Sequence, residues 1–250
     1  MKTLIKLILQ KVLGFKNYLF IFSVYIISTL KHNRKEGDFL HFLSLLPDSS
    51  TLLDIGANIG VMTVHMARRL PASRICAFEP VPENLSNLNR LVKLFKLKNV
   101  SVFDIALGSY NGTADIIMPE YQNVKFQGLS HIEGIEGTAG EKGTVYKVEM
   151  SKLDDVEGLM TSTLPVAGIK IDVENYEFQV LEGARQLLTK FKPIVYAELW
   201  ENQNRTDCIQ LLTEIGYSTY VLENGELVIF EAGKHKTQNF FFRNLPGNEK

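Results

Sequence analysis

The sequence predicts an open, doubly wound α/β sheet of mostly parallel strands behind an N-terminal helical arm. Two observations predict the sheet. From Thr51 onward, short apolar runs alternate with amphipathic stretches (TLLDIG, IGVMTVHMARRL, RICAFEP). That is the rhythm of βαβ units, whose parallel strands need a crossover helix. The first of these runs also ends in DIGANIG, Asp54 to Gly60, at the strand-to-helix turn where doubly wound sheets bind nucleotide-like ligands. With 250 residues, 45% of them hydrophobic, the chain is long enough for one domain with a sizeable core.

Residues 1–38 stand apart as an arm, and 39–250 form the domain. In the arm, Leu4, Ile5, Ile8, Leu9, Val12 and Leu13 recur at helical spacing, with Lys2, Lys6, Gln10 and Lys11 elsewhere on the wheel. Tyr18 to Leu30 is almost wholly apolar but spans 13 residues, short of the roughly 20 a membrane-spanning helix needs. Lys6 and Lys11 interrupt what would otherwise be a signal-peptide core, and no small-x-small cleavage site follows. A cytoplasmic location is the expectation. Two placements of the arm stay open. It packs on protein through Phe20, Phe22, Tyr25 and Ile26, or it lies peripherally on the inner face of the membrane, with its lysines toward anionic lipid.

After a short helix at Phe39–Leu46, strands are expected at 51–56, 74–80 and 99–107, with helices at 59–70 and 82–97 between them. Two further strands, 112–119 and 143–150, flank a loop carrying Gly128, Gly134, Gly137, Gly140 and Gly143. A loop of that length inside a compact domain is usually functional or mobile. The alternation resumes with a strand at 166–173, a helix near 176–191, a strand at 193–200 and a helix at 206–215. Strands at 217–223, 226–230 and 239–245 close the chain.

Lys+Arg 27 against Asp+Glu 28 gives a formal charge of −1, so no global electrostatic footprint for nucleic acid exists. Cys76 and Cys208 belong to no CxxC or Cys/His cluster. Neither a disulfide framework nor a zinc site is expected, and no metal ligands are assigned.

The chemistry concentrates at strand ends. A dinucleotide fingerprint would need glycine at 56, 58 and 61, where the chain has Gly56, Asn58 and Val61. The pattern acid-x-Gly-x-x-x-Gly suits S-adenosylmethionine better, a ligand without phosphates but with an ammonium, a carboxylate and a ribose. Asp54 can meet the ammonium, Gly56 and Gly60 leave room, and Asn58 tolerates left-handed backbone angles. Glu79 lies 19 residues after Gly60, near the roughly 20-residue spacing at which an acid meets ribose hydroxyls. Pro80 then removes a backbone donor and stops the strand. Asp104 is the candidate for the adenine amino group, with Ile105 lining the ring.

Asp172 and Glu174 end the fourth parallel strand, and spacing i, i+2 puts them on one face if the strand persists that far. They can flank a sulfonium, orient an acceptor or share a divalent cation, or Glu174 and Glu177 can simply cap the next helix. Glu198 ends the fifth strand. His131, beside Gly128-Leu-Ser130, is the one histidine placed as a candidate general base.

From about residue 51 to 220 the chain resembles the FkbM-type methyltransferases. The matching strings, in order, are LLDIGANIGVMTVHMA, AFEPVPENLSNL, the ALG of DIALG, SKLDDV, IKIDVENYEFQVLEGA, KPIVYAEL and IGYSTY. The resemblance implies a class I fold, with a seven-stranded sheet containing one antiparallel strand. It also implies dependence on S-adenosylmethionine and, usually, O-methylation. The acceptor expected is a hydroxyl on a glycan, lipid-linked saccharide or small natural product. Methylation of nitrogen or nucleic acid, and a non-catalytic binding protein on the same fold, are the alternatives. One departure stands out. Where the family commonly has DVEG, this chain has Asp172-Val-Glu174-Asn175.

Overall fold

The computed structural model describes residues 2–30, 33, 36–121, 124–134 and 142–244. Lys31, His32, Arg34 and Lys35 of the arm, Gly137 and Gly140 of the loop, and Leu245 lie outside the described residues.

Helices α1 (Lys2–Leu13) and α2 (Phe15–Thr29) form the arm, parted at Gly14, whose φ of +71° suits glycine. Then come α3 (Gly37–Leu45), β1 (Thr51–Ile55), α4 (Val61–Arg69), β2 (Arg74–Phe78), α5 (Pro82–Leu94) and β3 (Val100–Phe103). An inserted β layer follows: β4 (Ala106–Leu107), β5 (Gly112–Tyr121), β6 (Val124–Lys125), β7 (His131–Ile132) and β8 (Gly143–Ser151). The alternation resumes with β9 (Val166–Ile171), α6 (Glu177–Glu182), α7 (Arg185–Phe191), β10 (Ile194–Glu198) and α8 (Gln203–Glu214). Strands β11 (Ser218–Glu223), β12 (Glu226–Ile229) and β13 (Asn239–Arg243) complete it.

The main sheet runs β12-β11-β13-β10-β9-β1-β2-β3. Strands β3, β2, β1, β9 and β10 are mutually parallel, and β1 is buried along its whole length, as an apolar run covered by helices on both faces should be. The chain winds from β1 to β3 on one side, then returns to place β9 and β10 on the other. The strand order therefore reverses between β1 and β9, and the crevice beyond their C-terminal ends is the ligand position of such sheets.

The sheet has eight strands rather than seven. The expected antiparallel strand is β13, inserted between β10 and β11. The addition is β12, joined to β11 by a tight hairpin whose central Asn224 and Gly225 both have positive φ (+52° and +88°), as a two-residue primed turn requires.

Two elements expected as continuous are broken. The strand at 99–107 stops at Phe103, and Ala106–Leu107 crosses to the inserted layer, pairing with Met150 and Ser151. The helix near 176–191 divides at Gly183, where a Cβ would lie 2.0 Å from the Gly108 carbonyl oxygen. Backbone contact that close needs glycine. A remote side chain restarts the helix: Asp154 accepts from the Gln186 and Leu187 amides at 3.0 and 2.8 Å, satisfying donors that every helix start leaves open.

The arm docks on the domain. Tyr18, Leu19, Ile27 and Leu30 share one hydrophobic cluster with Leu52, Val64, Leu91 and Phe241, and Asn87 Nδ2 donates to Ser23 Oγ at 3.1 Å. The buried face is thus Leu19-Ser23-Ile27. Phe20, Phe22 and Ile26 are half-buried, and Tyr25 is exposed. Among the described residues no single helix is long and apolar enough to cross a membrane, and the apolar pair Lys6–Leu13 and Phe15–Thr29 is bent by 120° at its break.

Because Leu19 is completely buried, Leu19→Ala should cost about 2–5 kcal/mol of stability, read from the denaturant midpoint of the full chain. An unchanged midpoint would mean that the arm is not part of the folded core.

Candidate active site

The site is built on a lysine that sequence reasoning passed over. Lys170 lies inside the apolar strand β9 and is only 5% exposed. A buried ammonium is costly unless paired. Its Nζ donates to the Gly56 carbonyl at 2.9 Å and lies 3.5 Å from Asp54 Oδ1 and 3.6 Å from Asp172 Oδ2. Burial alone would lower its pKa, but the Asp172 and Asp54 carboxylates outweigh burial and hold it above the ordinary value. The signal was legible: one cation within an otherwise apolar VAGIKI.

This network fixes the glycine turn. Asp54 is wholly buried and accepts from Thr63 Oγ1 at 2.6 Å. Gly56 has φ +72°, and a Cβ there would lie 1.9 Å from the Asp172 carbonyl oxygen. The ends of β1 and β9 therefore touch backbone to backbone. Asn58 (φ +50°) and Gly60 (φ +89°) complete a left-handed turn into α4. A Cβ on Gly60 would meet Leu88 Cδ1 at 2.7 Å, so Gly60 serves helix packing.

Glu79, just beyond β2, is buried at 4% exposure. Its Oε2 accepts from the Asn58 amide at 2.8 Å, and its Oε1 accepts from the Val81 amide at 2.9 Å and from Asn84 Nδ2 at 3.2 Å. Burial pushes its pKa up to about 7, with the hydrogen bonds from Val81, Asn84 and Asn58 and the Lys170 charge opposing.

These residues border a cleft enclosing about 650 Å³ of space continuous with solvent. Gly56, Asn58, Glu79, Pro80, Ile105, His131, Asp172 and Glu174 all line it. Asp54 and Gly60 do not; they support the turn from behind. Asp104 does not line it either. The break after β3 leaves Asp104 exposed and turns the chain so that Ile105 faces the cleft instead. Glu198 is half-buried outside the lining, and burial followed by the Asp172 charge raises its pKa. His131 sits on β7, with Nδ1 2.9 Å from the Leu129 carbonyl oxygen. A carbonyl only accepts, so in the neutral ring Nδ1 carries the proton and Nε2 the lone pair.

The strand ends at Ile171, so Asp172 and Glu174 are not strand neighbours on one face. Glu174 and Asn175 instead form a left-handed turn, with φ +53° and +70°. Asparagine tolerates this backbone better than other non-glycine residues, and Asn202 Nδ2 donates to Asn175 Oδ1 at 2.7 Å. Asn175 therefore adopts backbone angles that glycine takes freely. Burial first, then the charges of Asp172, Glu198 and Glu177, push Glu174 up to about 8. Glu177 opens α6 and accepts from the Val173 amide at 3.1 Å; burial pushes it up to about 7.

Two lining residues had no sequence signal. Asn84 Oδ1 and Gln127 Oε1 are buried acceptors without a hydrogen-bond partner among the described residues. A Cβ on neighbouring Gly128 would find only Asn58 Nδ2 within 4 Å, at 3.9 Å. Past Ile132 and Tyr176 the cleft meets a wider groove lined by Tyr110, Asn175, Gln179, Asn202 and Gln203. Among the described residues, no three His, Cys, Asp or Glu side chains are grouped to hold a metal ion.

A reversed strand order, a glycine turn tied beneath it and a buried acid just beyond the adjoining strand define the class: a Rossmann-like methyltransferase fold. The crystal structure of methyltransferase FkbM from Methylobacillus flagellatus KT superposes with a TM-score of 0.52 at 16% identity, covering 80% of this chain and 45% of that one. The chain belongs to the FkbM methyltransferase family, since the methyltransferase FkbM domain matches residues 54–238. Methyltransferase sdnD of Sordaria araneosa is 30% identical over 203 residues, 71% of this chain and 76% of the relative. Methyltransferase 1 of Beauveria bassiana (strain ARSEF 2860) is 30% identical over 148 residues, 55% of this chain and 59% of its own length.

The raised carboxylates carry a pH signature with a definite sign. A carboxyl whose folded pKa lies above its unfolded value of 4.5 holds a proton that the unfolded chain has lost, so stability falls as pH rises between the two values. For Glu79 that window runs from 4.5 to about 7. Urea unfolding of the ligand-free protein should show this decline, and Glu79→Gln should flatten it. An identical pH slope in the variant would show that Glu79 titrates in its ordinary range.

Proposed function

We propose that this methyltransferase uses S-adenosylmethionine bound in the cleft and transfers its methyl group to a hydroxyl oxygen. The acceptor would be a glycan, a lipid-linked saccharide or a small natural product. The observation that carries the reading is Glu79: a buried carboxylate on the cleft wall, held by Asn58, Val81 and Asn84. Such a group keeps about one of its four lone-pair sites, on Oε2, for a ribose hydroxyl. Asn84 Oδ1 and Gln127 Oε1, without a hydrogen-bond partner among the described residues, and the open face of Gly128 are further features that a polar ligand would complete. Glu79 would hold the ribose, Ile105 would pack against the adenine, and the Gly56–Gly60 turn would border the amino-acid end. When bound, the cofactor supplies a methyl carbon already activated on a sulfonium.

The chain's own work is then to position the acceptor, exclude water and receive one proton. Glu174, pushed up to about 8, titrates near neutral pH, where a base is strong enough and ionised often enough to act. Asp172, fixed by Lys170 at 3.6 Å, would orient the acceptor. His131, which also lines the cleft, would be a second candidate base. The amide and phenol groups of the adjoining groove are donors and acceptors suited to hydroxyls.

Calorimetry with S-adenosylhomocysteine and turnover with methyl-labelled cofactor over cell-envelope and small-molecule extracts test this together. Glu79→Ala should weaken S-adenosylhomocysteine binding about 10- to 100-fold, the value of one or two hydrogen bonds to a charged group. Asp172→Asn should lower labelling far more than affinity. Binding of NAD with none of S-adenosylhomocysteine, or label recovered on nitrogen, would overturn the reading.

A further inference from the structure

The arm buries one side and leaves the other uncovered. Leu19, Ser23 and Ile27 face the domain. Ile21 and Tyr25, each two residues on and hence on the opposite side of α2, are 54% and 61% exposed. On α1, Ile8 and Val12 stand one turn apart at 52% and 76% exposure, with Leu9 at 41% beside them. Gln10, on another side of α1, is spent on the domain: its side chain bonds the Lys125 backbone in both directions, at 3.2 and 3.3 Å.

Charge is distributed with the same asymmetry. Residues 1–30 contain Lys2, Lys6, Lys11 and Lys16 and no acidic residue, within a chain of net charge −1. Lys11 and Lys16 are exposed at the elbow between the helices. The C-terminal end of α5 arrives at the same elbow. Arg90 Nη1 donates to the Lys16 carbonyl at 3.2 Å, and exposed Lys93, Leu94 and Lys96 follow. Large apolar side chains among lysines, without a carboxylate in residues 1–30, match the interface of an anionic bilayer.

We propose that the outer face of α1 and α2, with the adjoining end of α5, docks on an anionic lipid bilayer, inserting Ile8, Val12, Ile21 and Tyr25. The helices lie on the membrane and do not cross it. The inference is independent of which acceptor is methylated. Its complement is electrostatic, which separates it from a self-associating face: two copies meeting here would bring like charges together.

Flotation of the full chain decides it, using vesicles of three parts phosphatidylcholine to one of phosphatidylglycerol against phosphatidylcholine alone. The protein should float with the anionic vesicles, less so with the neutral ones, and less as salt rises. The double variant Val12→Glu, Ile21→Glu changes exposed positions only and should keep the wild-type unfolding midpoint. It should lower the floated fraction about tenfold or more. Absence of flotation, or equal flotation of the variant, would overturn the proposal. So would a wild-type dimer in sedimentation that the variant converts to monomer, since this face would then join copies of the chain.

Discussion

The structure depends on one buried ammonium. Lys170 ties the carbonyl of Gly56 to the carboxylates of Asp54 and Asp172, and so joins the two strand ends between which the chain reverses direction. Removing Lys170 or Asp54, the two buried members, costs about 3–5 kcal/mol, because the remaining buried charge has no solvent to turn to. The arrangement also explains the glycine at 56. With the turn drawn onto β9, no space remains for a Cβ against the Asp172 backbone.

From that anchor the cleft acquires two unlike acidic walls. Glu79 is enclosed and supplied with three donors, while Glu174 stands among other carboxylates, with Asp172 nearer solvent. Burial raises Glu79 and Glu174, to about 7 and about 8, but the surroundings differ. One carboxylate is rigidly held, as a binding group requires. The other stands among carboxylates whose repulsion a proton relieves. The inserted layer supplies the third wall through Gln127, Gly128 and His131. The arm braces that layer through Gln10, linking the part of the molecule that bears the exposed apolar face to the rim of the cleft.

Much of this was legible in the sequence. The alternation of runs from Thr51 gave the parallel sheet, and DIGANIG with Glu79 marked one side of the cleft, because turn geometry and strand-end spacing are local properties. What escaped was decided at a distance. The break at Asp104 follows from the pairing of Ala106 and Leu107 with β8, more than forty residues on. The break at Gly183 comes from the Gly108 carbonyl. Asp54 lies in the right string, yet it is consumed by Thr63 and Lys170 and does not line the cleft. Lys170 was visible as a charge inside an apolar strand and went unremarked. Asn175 shows the reverse: a departure from the family pattern at sequence level that leaves a left-handed turn in place.

On the proposed reading, a cofactor's ribose rests on Glu79 above the turn held by Lys170. A crystal structure of the protein with S-adenosylhomocysteine tests it most directly. The expected result is a ribose hydroxyl within hydrogen-bonding distance of Glu79 Oε2, with the Lys170 contacts to Gly56 and Asp54 intact. Ligand bound elsewhere, or in the cleft with its ribose turned away from Glu79, would contradict it.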